Sequence, residues 1–330
     1  MKYAPWLSRG ILAALTSAFF LGMAPVFGRQ AILLGLPPLA VVAIRTVLAT
    51  LLLLVVMVAF YRRYLFIYPA GLLGCLFAGW LNGLGSLFYY SALGRLNAGL
   101  GQLLYSLYPL FLVLWLSLDH QPPTRLTLFR ITLAVPALFL LAHAESGRVD
   151  FIGVLEMLVA SALYALHLPV NQRVLYDMPA PTVTLYTLLA MSAIVVPTFL
   201  FSGATLHPVD STGKAVGLEA LKVSQYLWPV LGLTLVTFLS RLMLFTGVKH
   251  LGGMQTALLG LSELLVTLLF AHIWLGESFT TPQWIGAILL ILSLVLVGFE
   301  KAPPRKHSQG GFLSWLHPAG IPTDIWQVHD

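Results

Sequence analysis

Residues 251–286 read LGGMQTALLGLSELLVTLLFAHIWLGESFTTPQWIG. From Met254 to Leu275 this stretch is apolar over about 20 residues, the length a helix needs to cross a bilayer. One charge interrupts it, Glu263, close to the middle. A carboxylate in hydrocarbon is costly unless it is neutral, paired or facing a wet cavity, so it marks a functional site by default. The rest of the chain shows what kind of function that is.

Of the 330 residues, 58% are hydrophobic and 9% charged, with mean hydropathy +0.89. Soluble domains carry about 25% charged residues. So few charges cannot cover a water-exposed surface, and the chain reads as an all-α polytopic membrane protein whose first partner is the lipid bilayer. Its net charge of +6 could suggest nucleic acid, but the basic residues are scattered and lie mostly at helix ends, so no nucleic-acid partner is expected. Cys75 is the single cysteine, which excludes an intramolecular disulfide and predicts a small buried apolar side chain.

An apolar run from Gly10 to Phe27 follows the short N-terminus. It is longer than a signal-peptide core and lacks a clear small-x-small cleavage site, so it reads as the first helix. Further apolar segments lie at about 38–60, 69–92, 97–118 and 124–142, then at 151–172, 181–202, 224–246, 252–275 and 281–299. Short turn signals separate them, among them Tyr61-Arg62-Arg63 and Asp119-His120-Gln121-Pro122-Pro123. This predicts ten transmembrane helices, five in residues 10–142 and five in 151–299, joined by a polar connection at 143–150. Residues 1–9 and a tail at 300–330 flank them, and Ser202 to Ser224 forms the longest internal loop.

With the N-terminus inside, the cytoplasmic loops and ends collect Lys2, Arg9, Arg62, Arg63, Arg125, Arg173, Lys249, Lys301, Arg305 and Lys306. The outer loops collect Arg29, Arg95, Arg148, Lys214 and Lys222. That bias of about two to one predicts that both termini are cytoplasmic.

The two halves also align. Ala92-Leu93-Gly94-Arg95-Leu96-Asn97-Ala98-Gly99 falls on Gly247-Val248-Lys249-His250-Leu251-Gly252-Gly253-Met254, each in the turn joining the third and fourth helices of its half. At the same offset Tyr108 falls opposite Glu263, and after a gap of three residues Asp119 falls opposite Glu277. Five is odd, so the two halves would be inverted repeats. Such repeats occur in secondary transporters with a midplane site between them.

The residues now assembled resemble those of the drug/metabolite transporter superfamily, in particular EamA-type ten-helix carriers with two EamA repeats. The likeness rests on Pro38 and Arg45, the Tyr90-Ser91-Ala92-Leu93 to Ala98 turn, and Tyr108-Pro109. In the second half it rests on Ser262-Glu263 and Leu275-Gly276-Glu277, followed by Gln283 and Gly286. Leu264 stands where a proline often follows the intramembrane glutamate, Asp119 replaces the first helix-ending glutamate, and Leu128 replaces a glycine. The resemblance implies a carrier of small organic metabolites or drugs in the cell (inner) membrane, often an exporter, with both termini cytoplasmic.

Six residues are candidates for substrate binding or coupling. Glu263 could carry a proton or pair with a substrate amine, against a purely structural hydrogen bond. Arg45 and Arg241, deep in their helices, could hold a substrate carboxylate or form structural ion pairs; Arg45 could also neutralise Glu263 or Glu156. Glu156 lies about a turn inside its helix, where water can reach it. Tyr108 and Asn82 lead a set of cavity-lining side chains that also holds Trp80, Tyr89, Tyr90, Tyr105 and Tyr164, although an aromatic belt explains several of these equally well. Arg130 is expected to snorkel to the cytoplasmic surface, His167 and His272 to make interhelical hydrogen bonds, and Glu277 to support a turn.

No H-E-x-x-H, G-x-S-x-G or Walker A sequence is present, and no cofactor is called for. The expected function is therefore secondary transport of a small molecule by alternating access, with proton coupling through Glu263 and a homodimer both compatible with the sequence. The alternative is an integral-membrane enzyme or lipid-handling protein acting on lipid-linked substrates. That alternative calls for polar groups clustered at one interface, whereas here they are dispersed at depth.

Overall fold

A computed structural model describes residues 5–96, 98–120, 123–141, 150–175, 178–203, 223–275, 281–296 and 313. Every regular element among the described residues is helical. In chain order they are α1 (Pro5–Leu33), α2 (Pro38–Phe60), α3 (Pro69–Arg95), α4 (Ala98–Tyr105), α5 (Tyr108–Leu118), α6 (Arg125–Leu141), α7 (Phe151–Leu175), α8 (Ala180–Phe201), α9 (Val223–Leu251), α10 (Gly253–Gly260), α11 (Ser262–Leu275) and α12 (Thr281–Val295). A short 3₁₀ turn, Arg62–Leu65, follows α2.

Proline sets several helix starts. It occupies the first turn of α2, α3, α5 and α8, where its missing N–H costs nothing. Prolines also lie inside α1, α6, α7, α8 and α9, which membrane helices tolerate because neighbouring groups satisfy the freed backbone. Among the described residues six helices (α1, α2, α3, α7, α8 and α9) are long and apolar enough to cross a membrane. Their outward side chains, among them Leu12, Val55, Leu73, Leu155 and Leu231, form an exposed apolar coat of a kind soluble monomers rarely carry.

The sequence predicts continuous helices over 97–118 and 252–275, and each proves to be broken in two. Residues 106–107 separate α4 from α5, and Leu261 separates α10 from α11. In the first case Pro109 cannot donate to the carbonyl four residues back, and the Tyr105 carbonyl instead accepts the Ser161 hydroxyl at 2.9 Å. In the second the Leu261 amide turns to Leu259, and the freed Ala257 carbonyl accepts the Tyr108 hydroxyl at 2.6 Å. Tyr108 therefore begins α5 and Glu263 lies in the first turn of α11. The register that aligned them in the sequence also aligns the two breaks.

Packing sets the frame around those breaks. α1 lies along α9 and α11, α3 against α7 and α8, and α6 against α12. Gly22 lets α1 approach the backbone of α11 at Glu263, where any Cβ would collide with the Glu263 carbonyl. Thr267, one turn further on, donates to the Gly22 carbonyl at 2.8 Å.

Two expectations are corrected. Arg130 does not snorkel: it is fully buried, and its guanidinium ties α6 to the α12 and α10 helices, Nε donating to the Ser293 carbonyl and a terminal nitrogen to the Gln255 side chain. Trp80 is half exposed on the outer face, stacked on Phe77, rather than turned inward. Cys75 is buried, as expected. Asn97, Arg148, Lys214, Lys222, Glu277, the connection at 143–149 and, apart from Leu313, the tail lie outside the described residues, as do the side chains of His272 and Gln283.

Candidate functional site

The break before α11 opens onto a cavity of about 50 Å3 inside the bundle. That is room for several waters or a compact polar group. Its wall is drawn from both halves of the chain: Leu21 and Ala24 of α1, Arg45 of α2, a strip of α3 from Asn82 to Tyr90, Gln102 and Tyr105 of α4, Tyr164 of α7, Arg241 of α9 and Glu263 of α11.

The polar groups come from otherwise apolar helices. Arg45, Asn82, Arg241 and Glu263 are each at most 6% exposed. Arg45 reaches the Thr237 hydroxyl of α9 at 3.2 Å and the Ser86 hydroxyl of α3 at 3.3 Å, and its guanidinium lies 4.6 Å over the Tyr90 ring. Its Nε has no hydrogen-bond partner among the described residues. Arg241 donates from one terminal nitrogen to Asn82 Oδ1 at 3.0 Å, while the other has no protein partner. Asn82 in turn donates to the Met191 sulfur of α8 at 3.2 Å, which fixes which way its amide faces. Glu263 is hydrogen-bonded by the Gln102 side chain, and one of its carboxyl oxygens has no protein partner. Gln102 accepts from the Tyr89 hydroxyl at 3.1 Å.

An aromatic shelf completes the wall. Ring centroids lie 4.9 Å apart between Tyr89 and Tyr105, 5.3 Å between Tyr89 and Tyr90, and 5.3 Å between Tyr105 and Tyr164. Edge-to-face and tilted pairs of this kind lock ring orientation. Tyr108 stands behind them, 5.0 Å from Tyr164, with its hydroxyl bound to Ala257. It holds α5 to α10 and does not line the cavity.

The structure thus brings together four of the six sequence candidates, Glu263, Arg45, Asn82 and Arg241. Arg45 reaches neither Glu263 nor Glu156 as an ion pair. Glu156 belongs to another cluster, where it accepts from the Ser91 hydroxyl at 3.0 Å and lies 3.6 Å from Arg95. Arg95 also pairs with the exposed Asp150 at 3.3 Å. Slight desolvation works against ionisation of Asp150, but the Ile152 amide and Arg95 hold its carboxyl below the usual carboxylate range. His167 is fully buried, tilted against Phe245 and stacked on Tyr164, and neither ring nitrogen has a protein hydrogen-bond partner. The interhelical hydrogen bond expected of it is not made.

Gln102, Ser86 and Thr237 are site residues that sequence reasoning missed. Gln102 had a signal, being a lone amide in an apolar segment; Ser86 and Thr237 had none, since hydroxyls are common in membrane helices and usually bond their own backbone.

Comparison with known proteins now bears on this geometry. The family model for the EamA-like transporter family matches residues 8–143 and again 151–299. An uncharacterized transporter of Bacillus subtilis, YcbK, is 23% identical over 208 residues, 62% of this chain and 64% of that protein's length. An uncharacterized inner membrane transporter of Salmonella typhimurium, YicL, is 33% identical over 54 residues, 16% of this chain and 18% of that protein. A solved crystal structure of 16% identity superposes with a TM-score of 0.69 over 88% of this chain and 97% of its own, a likeness of fold. The buried charged cavity therefore sits in a multi-pass membrane protein built on two matches to one family model, and the chain belongs to the EamA-like transporter family.

Proposed function

We propose that this chain is a secondary carrier that exports small organic metabolites across the cell (inner) membrane by alternating access, with the α3, α4, α9 and α11 cavity as its substrate site and Glu263 as its coupling carboxyl. The observation that carries this reading is the position of Glu263: among the described residues the one carboxylate on the cavity wall, at a helix break, beside Gln102 of the other half. Discontinuous helices flanking a central site are the recurrent device of such carriers. Among the described residues the other charged and titratable groups around Glu263 are Arg241, Tyr89, Tyr105, Tyr108 and Tyr164, with Arg45 and Tyr90 on the same cavity wall.

Ten crossings, as two inverted five-helix repeats over 10–142 and 151–299 with both termini cytoplasmic, fit the contacts at the helix ends. Residues assigned to the outer face meet one another: Arg29 donates to the Leu93 carbonyl at 2.7 Å, and Arg95 pairs with Asp150. So do residues assigned to the inner face. Lys249 donates to Met178, Tyr186 to Leu65, and Arg173 pairs with Asp119. If α4 with α5 and α10 with α11 each cross once, their 21 and 23 residues rise about 32 and 35 Å at 1.5 Å per residue, enough for a hydrocarbon core of about 30 Å. Tyr108 then positions the second break for Glu263, and Glu156 helps to close the outer face.

The test compares small metabolites inside and outside cells that lack the protein, express it, or express Glu263→Gln at equal membrane abundance. The reading predicts that one compound class accumulates outside only with the intact chain. Identical profiles in all three, with a change in a lipid species instead, would replace it with the lipid-linked enzyme.

A further inference from the structure

We propose that the carrier's cavity takes an organic oxyanion, its carboxylate or phosphate oxygens seated between Arg45 and Arg241. This inference rests on the carrier reading and names the substrate class for the same site.

Arg45 and Arg241 are more than nine-tenths buried, face one cavity, and stand near enough to influence each other electrostatically. Among the described residues neither forms an ion pair, and Glu263 is the one acidic side chain on the wall. Even with Glu263 ionised the cavity keeps one surplus positive charge, and with Glu263 protonated it keeps two. Buried charges are ordinarily paired, and this chain follows that rule elsewhere, as at Arg173 and Asp119.

Hydrogen bonding points the same way. The protein partners of the two guanidinium groups are neutral: Thr237, Ser86 and Asn82. These bonds fix the planes of the forks without neutralising them, and they leave the Arg45 Nε and one terminal Arg241 nitrogen unused beside the cavity. A planar fork with free N–H groups matches the geometry of a carboxylate or phosphate, and each such charge-assisted bond is about twice as strong as a neutral one. Tyr105 and Tyr164 give the organic part of the substrate a face to lie on. An organic cation would meet two guanidinium groups, a repulsive device that excludes that class as firmly as the arginines favour an anion.

The experiment measures the thermal stability of the purified full-length chain in detergent with acetate, lactate, benzoate or phenyl phosphate, and with benzamide or benzylammonium. A ligand that binds only the folded state raises Tm by an amount that grows with concentration above its Kd. At least one anion is expected to raise Tm and the neutral and cationic analogues are not; benzoate against phenyl phosphate tells carboxylate from phosphate. Arg45→Gln and Arg241→Gln should each weaken the anion effect at least about tenfold in concentration, whereas Arg62→Gln, an exposed arginine outside the site, should leave it unchanged. Stabilisation by benzylammonium or benzamide equal to that by benzoate, no shift with any of the anions, or an undiminished shift in a folded Arg45→Gln protein would overturn the proposal. The wild-type panel decides even if the variants do not fold. Anions that bind while no metabolite moves in cells would sink the carrier reading alone, and exported cations would sink the anion site alone.

Discussion

Two sets of buried charge in this protein follow opposite rules. Where α5 ends, Asp119 takes two bonds from Arg173 of α7, at 2.7 and 3.0 Å, and a third from the Leu313 amide at 3.1 Å, with both side chains almost wholly buried. There each formal charge is cancelled by another protein group. In the cavity Arg45 and Arg241 are just as deeply buried, yet they are held by neutral partners and keep N–H groups unused, and Glu263 keeps an unused oxygen. The first arrangement holds helices together; on the proposed reading the second keeps charge for the substrate. Burial alone therefore does not mark a site. Buried charge on a cavity wall without a counter-charge is the sharper mark, as Arg130, buried on neutral partners away from the cavity, makes plain.

The comparison breaks most readily at the paired set. Asp119→Ala takes from buried Arg173 the carboxylate that holds it by two bonds, a loss of about 3–5 kcal/mol. We expect the protein to fall sharply in membrane abundance and in detergent Tm, and the double change Asp119→Leu with Arg173→Met to recover much of both. The cavity should respond the other way round. Arg241→Gln should leave abundance near that of the intact chain while raising the transport KM about 10–100-fold, the cost of one charge-assisted hydrogen bond to substrate. An equal drop in both properties would make Arg241 structural.

Glu263→Gln sharpens the comparison within the cavity. It preserves shape and the Gln102 contact but cannot exchange a proton, so accumulation against a gradient driven by an imposed pH difference should be lost while downhill exchange persists. Uphill movement by the Glu263→Gln protein would remove proton coupling through this residue. The smallest effect is expected at Glu156, which is partly exposed beside Arg95 and contacts no cavity residue named above. Exposed pairs are worth up to about 1 kcal/mol, so Glu156→Gln should change transport rate less than about fivefold.

These contrasts explain why the sequence revealed the scaffold more readily than the site. Long apolar runs punctuated by prolines and basic turns mark helices by composition, and α2, α3, α7 and α8 lie within a few residues of where those runs predict them. The breaks at 106–107 and Leu261 were hidden because an apolar helix and an apolar helix with a gap have the same composition; only Pro109 hinted at the first. Glu263, Arg45 and Arg241 stood out because charge is rare in such segments. What no linear reading supplied was their pairing, which depends on which helices are neighbours: Arg45 meets Thr237 across 192 positions and Arg241 meets Asn82 across 159. The repeat sets Tyr108 opposite Glu263, but its hydroxyl is claimed by a carbonyl that only the second break makes available.

The central claim is that the Arg45, Arg241 and Glu263 cavity is the substrate path itself. Cys75 is the single cysteine and is buried, so a second cysteine can be introduced at the cavity wall against a quiet background. The most direct measurement is labelling of Ser86→Cys, in a Cys75→Ser chain that still transports, by a membrane-impermeant maleimide added to inside-out or right-side-out vesicles. The account predicts labelling from both faces, slowed by the transported compound. A thiol at position 86 that reacts from neither face, or from one face alone, would contradict it.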